Sequence, residues 1–122
     1  MTLDDLETFF SAYVECALWS STDESDESGG DPLDQTYGPE DLDQNTMEGM
    51  RADCTDFVEA NLDDLADMDP EHAGHDFWLT RNGHGAGFWD RGLGELGERL
   101  SKASKPYGEV YLYVHDGKVF AS

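Results

Sequence analysis

Carboxylates are the groups in this chain with the most chemistry to offer. Its 122 residues include 28 Asp and Glu against seven Lys and Arg. Glu48, Asp53, Asp56, Glu59, Asp63, Asp64 and Asp67 stand among apolar residues that step by threes and fours. Asp4, Asp5 and Glu7 do the same near Met1. Carboxylates held on helix faces can meet the Lys and Arg side chains with which proteins clamp phosphates. Duplex DNA carries one charge per ~1.7 Å of axis, so a surface imitating it needs many acids at rigid spacing. The pattern predicts binding rather than reaction. Acid pairs such as Asp4/Asp5 and Asp63/Asp64 on a solvated face have nothing to drive their pKa values apart.

Other residues could carry chemistry, with less behind them. His72-Ala-Gly-His75-Asp76, with His84 nearby, offers imidazoles for a metal. A structural zinc site draws four spaced ligands into a tetrahedron, and a lone His-x-x-His falls short of that. These histidines are expected to orient a hairpin instead, with no metal and no cofactor. Gly83-His-Gly-Ala-Gly87 lacks both the strand-before, helix-after setting of a dinucleotide loop and the Gly-Lys-Ser/Thr of a phosphate loop. Cys16 and Cys54 fall inside predicted helices without close spacing, as buried reduced thiols do. No Gly-x-Ser-x-Gly elbow is present, and neither cysteine has a base beside it in sequence. The expectation is a protein that is not an enzyme.

The charge is unevenly laid out. Of the formal −21, about −20 falls in residues 1–70, where Arg51 stands alone among the acids, and about −1 in residues 71–122. Self-repulsion of this size costs stability in a compact chain, so a chain that keeps it is expected to use the field. Salt adaptation is the weaker alternative: Asp outnumbers Glu by 17 to 11 and Lys is scarce, but such a chain should be acidic throughout. The aromatic content, three Trp, five Tyr and six Phe, argues against wholesale disorder. No apolar run approaches the ~20 residues that span a bilayer, and the acidic N-terminus does not read as a signal peptide. A soluble, cytoplasmic protein of one domain, residues 1–122, is expected.

The elements that must position these groups follow from periodicity. Thr2 caps a helix in which Leu3, Leu6, Phe10, Tyr13, Val14 and Ala17 recur at helical spacing to about Trp19. Residues 20–38 read as an acidic flexible loop pinned at its far end by Leu33 and Tyr37. A second long helix carries Met47, Met50, Cys54, Phe57, Val58, Leu62, Leu65 and Met68 inward, with Pro70 ending it. At ~1.5 Å rise per residue it would set Asp56, Asp63 and Asp67 along one outer stripe. His75–Arg81 and Gly87–Asp90 read as strands joined by a turn at Asn82-Gly83. Arg81 and Arg91 are expected to pair with Asp76 and Asp90. A short helix holds Leu93, Leu96, Leu100 and Ala103, and Glu109–Val114 turns at Asp116-Gly117 into Lys118–Ala121. The predicted class is α+β, two amphipathic helices and a short third on a small antiparallel sheet, in the order ααββαββ.

The stretch His75-Asp-Phe-Trp-Leu-Thr-Arg-Asn-Gly-His-Gly-Ala-Gly-Phe-Trp-Asp-Arg-Gly92 resembles the signature of small acidic proteins encoded by phages and prophages. Leu96–Leu100, Tyr107–Glu109 and the run Ala12–Ser20 resemble further parts of that pattern. The resemblance implies a fold held in common and no catalytic residue. By analogy of class, phage origin implies an antagonist of host defence, of the anti-CRISPR or anti-restriction kind. Its partner would be a basic, nucleic-acid-binding protein or complex of the host, engaged in the host cytoplasm with no direct nucleic acid and no membrane. The alternative is a small phage structural or regulatory protein that binds a partner through the aromatic hairpin 75–92. Exposed Trp78, Trp89 or His84 would favour it. Buried Trp78 and Trp89 would favour the acidic face.

Overall fold

The structure, a computed structural model, describes residues 1–23, 31–83 and 86–122, the side chains of residues 23 and 31 excepted. It is mostly helical with a small antiparallel sheet, consistent with the α+β class. Helix α1 spans Leu3–Ser20. Thr2 Oγ1 accepts from the Asp5 amide at 3.1 Å and Asp5 accepts from the Thr2 amide at 3.0 Å, a reciprocal cap that starts the helix. A two-residue ladder pairs β1 (Thr22–Asp23) with β2 (Asp31–Pro32). Beyond it Leu33 is fully buried and Tyr37 packs partly against the core, as the sequence led us to expect. The loop acids Glu24, Asp26 and Glu27, and His84, lie outside the described residues.

The second helix differs from expectation. Helix α2 covers Gln44–Ala60, capped by Asp43, which accepts from the amides of Asn45 and Thr46. It stops at Asn61, whose side-chain amide donates to the Phe57 carbonyl at 2.8 Å and satisfies the helix end. The four residues Leu62–Leu65 then form α3. One long cylinder is thus replaced by two. The outer stripe expected through Asp56, Asp63 and Asp67 is broken between its first and second members.

The larger correction falls at His75–Arg81. These residues form the body of helix α4 (Pro70–Arg81), not a strand, and Phe88–Asp90 is a single 3₁₀ turn, not its return partner. Pro70 opens this helix as its first residue while Asp69 accepts from the Glu71 amide. The order ααββαββ is therefore replaced by a third long helix where a hairpin was expected. Helix α5 (Glu95–Ser104) and the hairpin of β3 (Leu112–His115) with β4 (Lys118–Ala121) complete the chain. Asp116 at φ 51° and Gly117 at φ 76° give the two left-handed positions of the expected tight turn. The hairpin docks on the N-terminal end of α2, where the Asp43 amide donates to the Val119 carbonyl at 2.9 Å.

The core sits where α1 and α4 cross. Gly74 makes the crossing possible, because a Cβ there would lie 2.2 Å from the Phe9 carbonyl oxygen. Phe57 and Phe77 stack with centroids 4.1 Å apart, and Phe9, Tyr13, Phe88 and Tyr107 surround them. Such pairs add about 0.5–1.5 kcal/mol each beyond the area they bury. Among the described residues no helix is long and apolar enough to cross a membrane.

Candidate functional site

All four arginines of the chain are held on carboxylates of other elements. Arg51 of α2 pairs with Glu7 of α1, and its guanidinium lies over the Phe10 ring at 4.3 Å. Arg99 of α5 takes Asp64 of α3 bidentately at 2.9–3.2 Å. That bond holds the Asp64 carboxyl below the usual carboxylate range and raises the Arg99 guanidinium above its own. Of the expected Arg81 and Arg91 pairings with Asp76 and Asp90, Arg91 takes Asp76 bidentately, and this carboxylate is 1% exposed; among the described residues neither arginine forms a salt bridge with Asp90. Arg81 does not pair with Asp76. Its side chain is buried and donates to Asp53 at 2.8 Å, Tyr13 Oη at 3.0 Å, Gly108 O at 2.9 Å and Tyr107 O at 2.7 Å. One guanidinium so joins α4 to α1, to α2 and to the turn before the hairpin.

These pairs divide the ten carboxylates expected to meet a partner. Glu7, Asp53 and Asp64 are committed to arginines. Asp5 caps α1. Asp56 accepts the Tyr107 hydroxyl at 2.6 Å. Burial first, and then this bond, raises the Tyr107 hydroxyl well above its ordinary pKa. Among the described residues the Glu48 carboxylate meets only the neutral Gln44 amide, at 3.2 Å. The side chains of Asp4, Glu59, Asp63 and Asp67 are exposed with no hydrogen-bond or ion-pair partner among the described residues. Glu48 and Glu59 lie eleven residues, or three turns, apart on one face of α2, a rise of about 16 Å. Asp63 and Asp67 extend this free set around α3.

The cysteines and histidines do not assemble a reactive centre among the described residues. Both thiols are buried. Burial pushes Cys16 up to about 12, helped by nearby Asp76, so at neutral pH it is a thiol rather than the thiolate that attacks. Cys54 is likewise raised well above its ordinary value, by burial and then by Asp53. No group of three His, Cys, Asp or Glu side chains there is placed to hold a metal ion. His72 is exposed, and His75 sits partly buried with its Nε2 unpartnered.

A feature absent from the sequence reading lies at the C-terminal end of α1. A cleft of about 630 Å³ opens there, lined by Glu15, Trp19, Asp34, Tyr37, Pro39 and His75 among others. Trp19 is 64% exposed at its rim. The one hint in the sequence was a tryptophan placed beside the apolar face of α1 rather than on it. Trp78 and Trp89 part company: Trp78 is buried and donates to Ser20 Oγ at 2.7 Å, whereas Trp89 is 56% exposed.

No protein-family model, curated protein or solved structure matches this chain.

Proposed function

We propose that this protein is a non-enzymatic inhibitor of phage type. It occupies a basic, nucleic-acid-binding site of a host defence complex with an acidic surface centred on Glu48, Glu59, Asp63 and Asp67. The observation that carries the reading is the division of the charge. Every arginine is paired with a carboxylate of another element, while these four carboxylates face solvent without a cation among the described residues. The spacing limits what they imitate. Two charges over about 16 Å of helix are far sparser than a duplex with one per ~1.7 Å. The surface therefore suits a few phosphate-clamping side chains of the target and not a length of its channel.

The test is a pull-down from host lysate at two salt concentrations, with captured proteins identified by mass spectrometry. Exposed charges are screened over ~8–10 Å at physiological ionic strength, so capture of a nucleic-acid-binding complex should fall steeply as salt rises. Reversing Glu59, Asp63 and Asp67 to Lys should abolish it with the fold intact, because the side chains of the three have no partner among the described residues. Asp56 is left out of the set because it holds the Tyr107 hydroxyl. Full capture by the triple variant would sink the assignment of this face.

A second reading has Trp89 in its favour. A partner that recognises residues 75–92 would bury that ring, exposed on the 3₁₀ turn. Loss of capture on Trp89→Ala, with the triple Lys variant still active, would establish it over the first.

A further inference from the structure

The cleft at the end of α1 gathers aromatic and acidic side chains. Trp19, Tyr37 and Pro39 line it. Glu15 and Asp34 line it too, exposed and without any hydrogen-bond or ion-pair partner among the described residues. Among the described residues no Lys or Arg lines it. Helix α1 ends here at Ser20 with no basic residue in its last turn, so the negative end of its dipole is unopposed. His75 also lines the cleft, its Nε2 buried away from solvent. Arg91 lines an adjoining cleft that shares Trp19, Cys16 and His75, but its charge is answered by Asp76.

The geometry points to a socket for an arginine side chain of the partner protein, with Trp19 and Tyr37 as stacking walls and Glu15 and Asp34 as acceptors. A planar guanidinium can lie against an aromatic face and donate to carboxylates at its edge at the same time. A lysine ammonium is a compact charge and loses the stacking. The cleft volume falls within the range of sites that enclose a small group. The inference deepens the proposed function and rests on it only for the basic character of the partner. The socket itself is a property of this chain and can be tested without the target.

The experiment titrates the ¹⁵N-labelled full chain with acetyl-Gly-Arg-Gly-amide and, separately, with its Lys counterpart of equal charge. The Trp19 indole N–H should shift in a saturable way with the arginine peptide, bound about 5-fold more tightly than the lysine one. The double variant Glu15→Gln/Asp34→Asn should lose saturable binding while keeping its thermal melting profile, since both residues are exposed and unpartnered. The triple variant at Glu59, Asp63 and Asp67, whose residues do not line the cleft, should keep it. Equal affinity for the two peptides, or binding that survives the double variant, would overturn the socket. A socket that binds arginine beside a triple variant that still captures the target would instead remove the acidic-face assignment and leave the socket standing.

Discussion

At the scale of single residues, Arg81 does the most to join the fold. Its guanidinium has carboxylate, hydroxyl and carbonyl acceptors on three sides, and it lies 5.6 Å from the Phe77 centroid and 5.8 Å from that of Tyr107. Replacing it by Met would strand two carbonyls and a phenol that have no other donor there. Arg81→Met should destabilise the chain by about 3–5 kcal/mol, read as a lowered urea midpoint. Arg81→Lys should recover little, because one ammonium cannot reach all four acceptors at once. The buried ionisable groups set the response to alkali. Cys16 is raised from 9.0 to about 12 and Tyr13 is raised above its ordinary 10.0, both chiefly by burial. In each the folded pKa exceeds the unfolded one, so the stabilisation is whole below the unfolded value and disappears as pH climbs through the folded one. Stability should therefore decline from about pH 9 to 12, and Cys16→Ala should flatten the onset of that decline in urea titrations run at stepped pH. A flat profile through that window would contradict the burial of these groups.

At the scale of elements, the crossing of α1 and α4 carries the strongest steric demand. Gly74→Ala would set a methyl 2.2 Å from a backbone oxygen that cannot swing aside. The helices would have to separate, at a cost of about 1–3 kcal/mol or more, read as a lowered melting temperature. Gly49→Ala, on the open face of α2, should do no harm and serves as the control. The same elements mark how far the sequence can be read. Helix α1 was legible because Thr2 caps it and its apolar residues keep one period to the end. The β3–β4 hairpin was legible because Asp116-Gly117 demands left-handed backbone. Helix α4 was not legible, for two physical reasons. Pro70 served as the stop of one helix and hid its second role as the start of the next. The helix is also buried on most of its circumference, from Ala73 through Asp76, Phe77 and Trp78 to Arg81, so its apolar residues follow no single stripe. Phe77-Trp78-Leu79 then looks like a strand. The break at Asn61 was hidden because the apolar spacing of α2 runs on in register into α3. Of the candidate site, the sequence could reveal where acids gather. It could not reveal which of them arginines from elsewhere in the chain would take, since those pairings span 15 to 44 residues.

At the scale of the whole molecule, the charge is sorted as well as large. Each arginine is paired with a carboxylate of another element, Arg81 in the interior and the other three nearer the surface, while the free carboxylates lie on α2 and on α3 with the residues just after it. Salt adaptation offers a contrasting account, in which the acids hold a hydration layer and the fold weakens when salt is withdrawn. The inhibitor reading places the salt sensitivity in the complex instead. The most direct measurement is competition: the captured host complex is challenged with increasing duplex DNA while its occupancy by this protein is followed. The expected result is displacement that reaches completion, with the Glu59/Asp63/Asp67→Lys variant never occupying the complex at all. Occupancy unchanged by saturating DNA would contradict the claim that these carboxylates stand where phosphates bind.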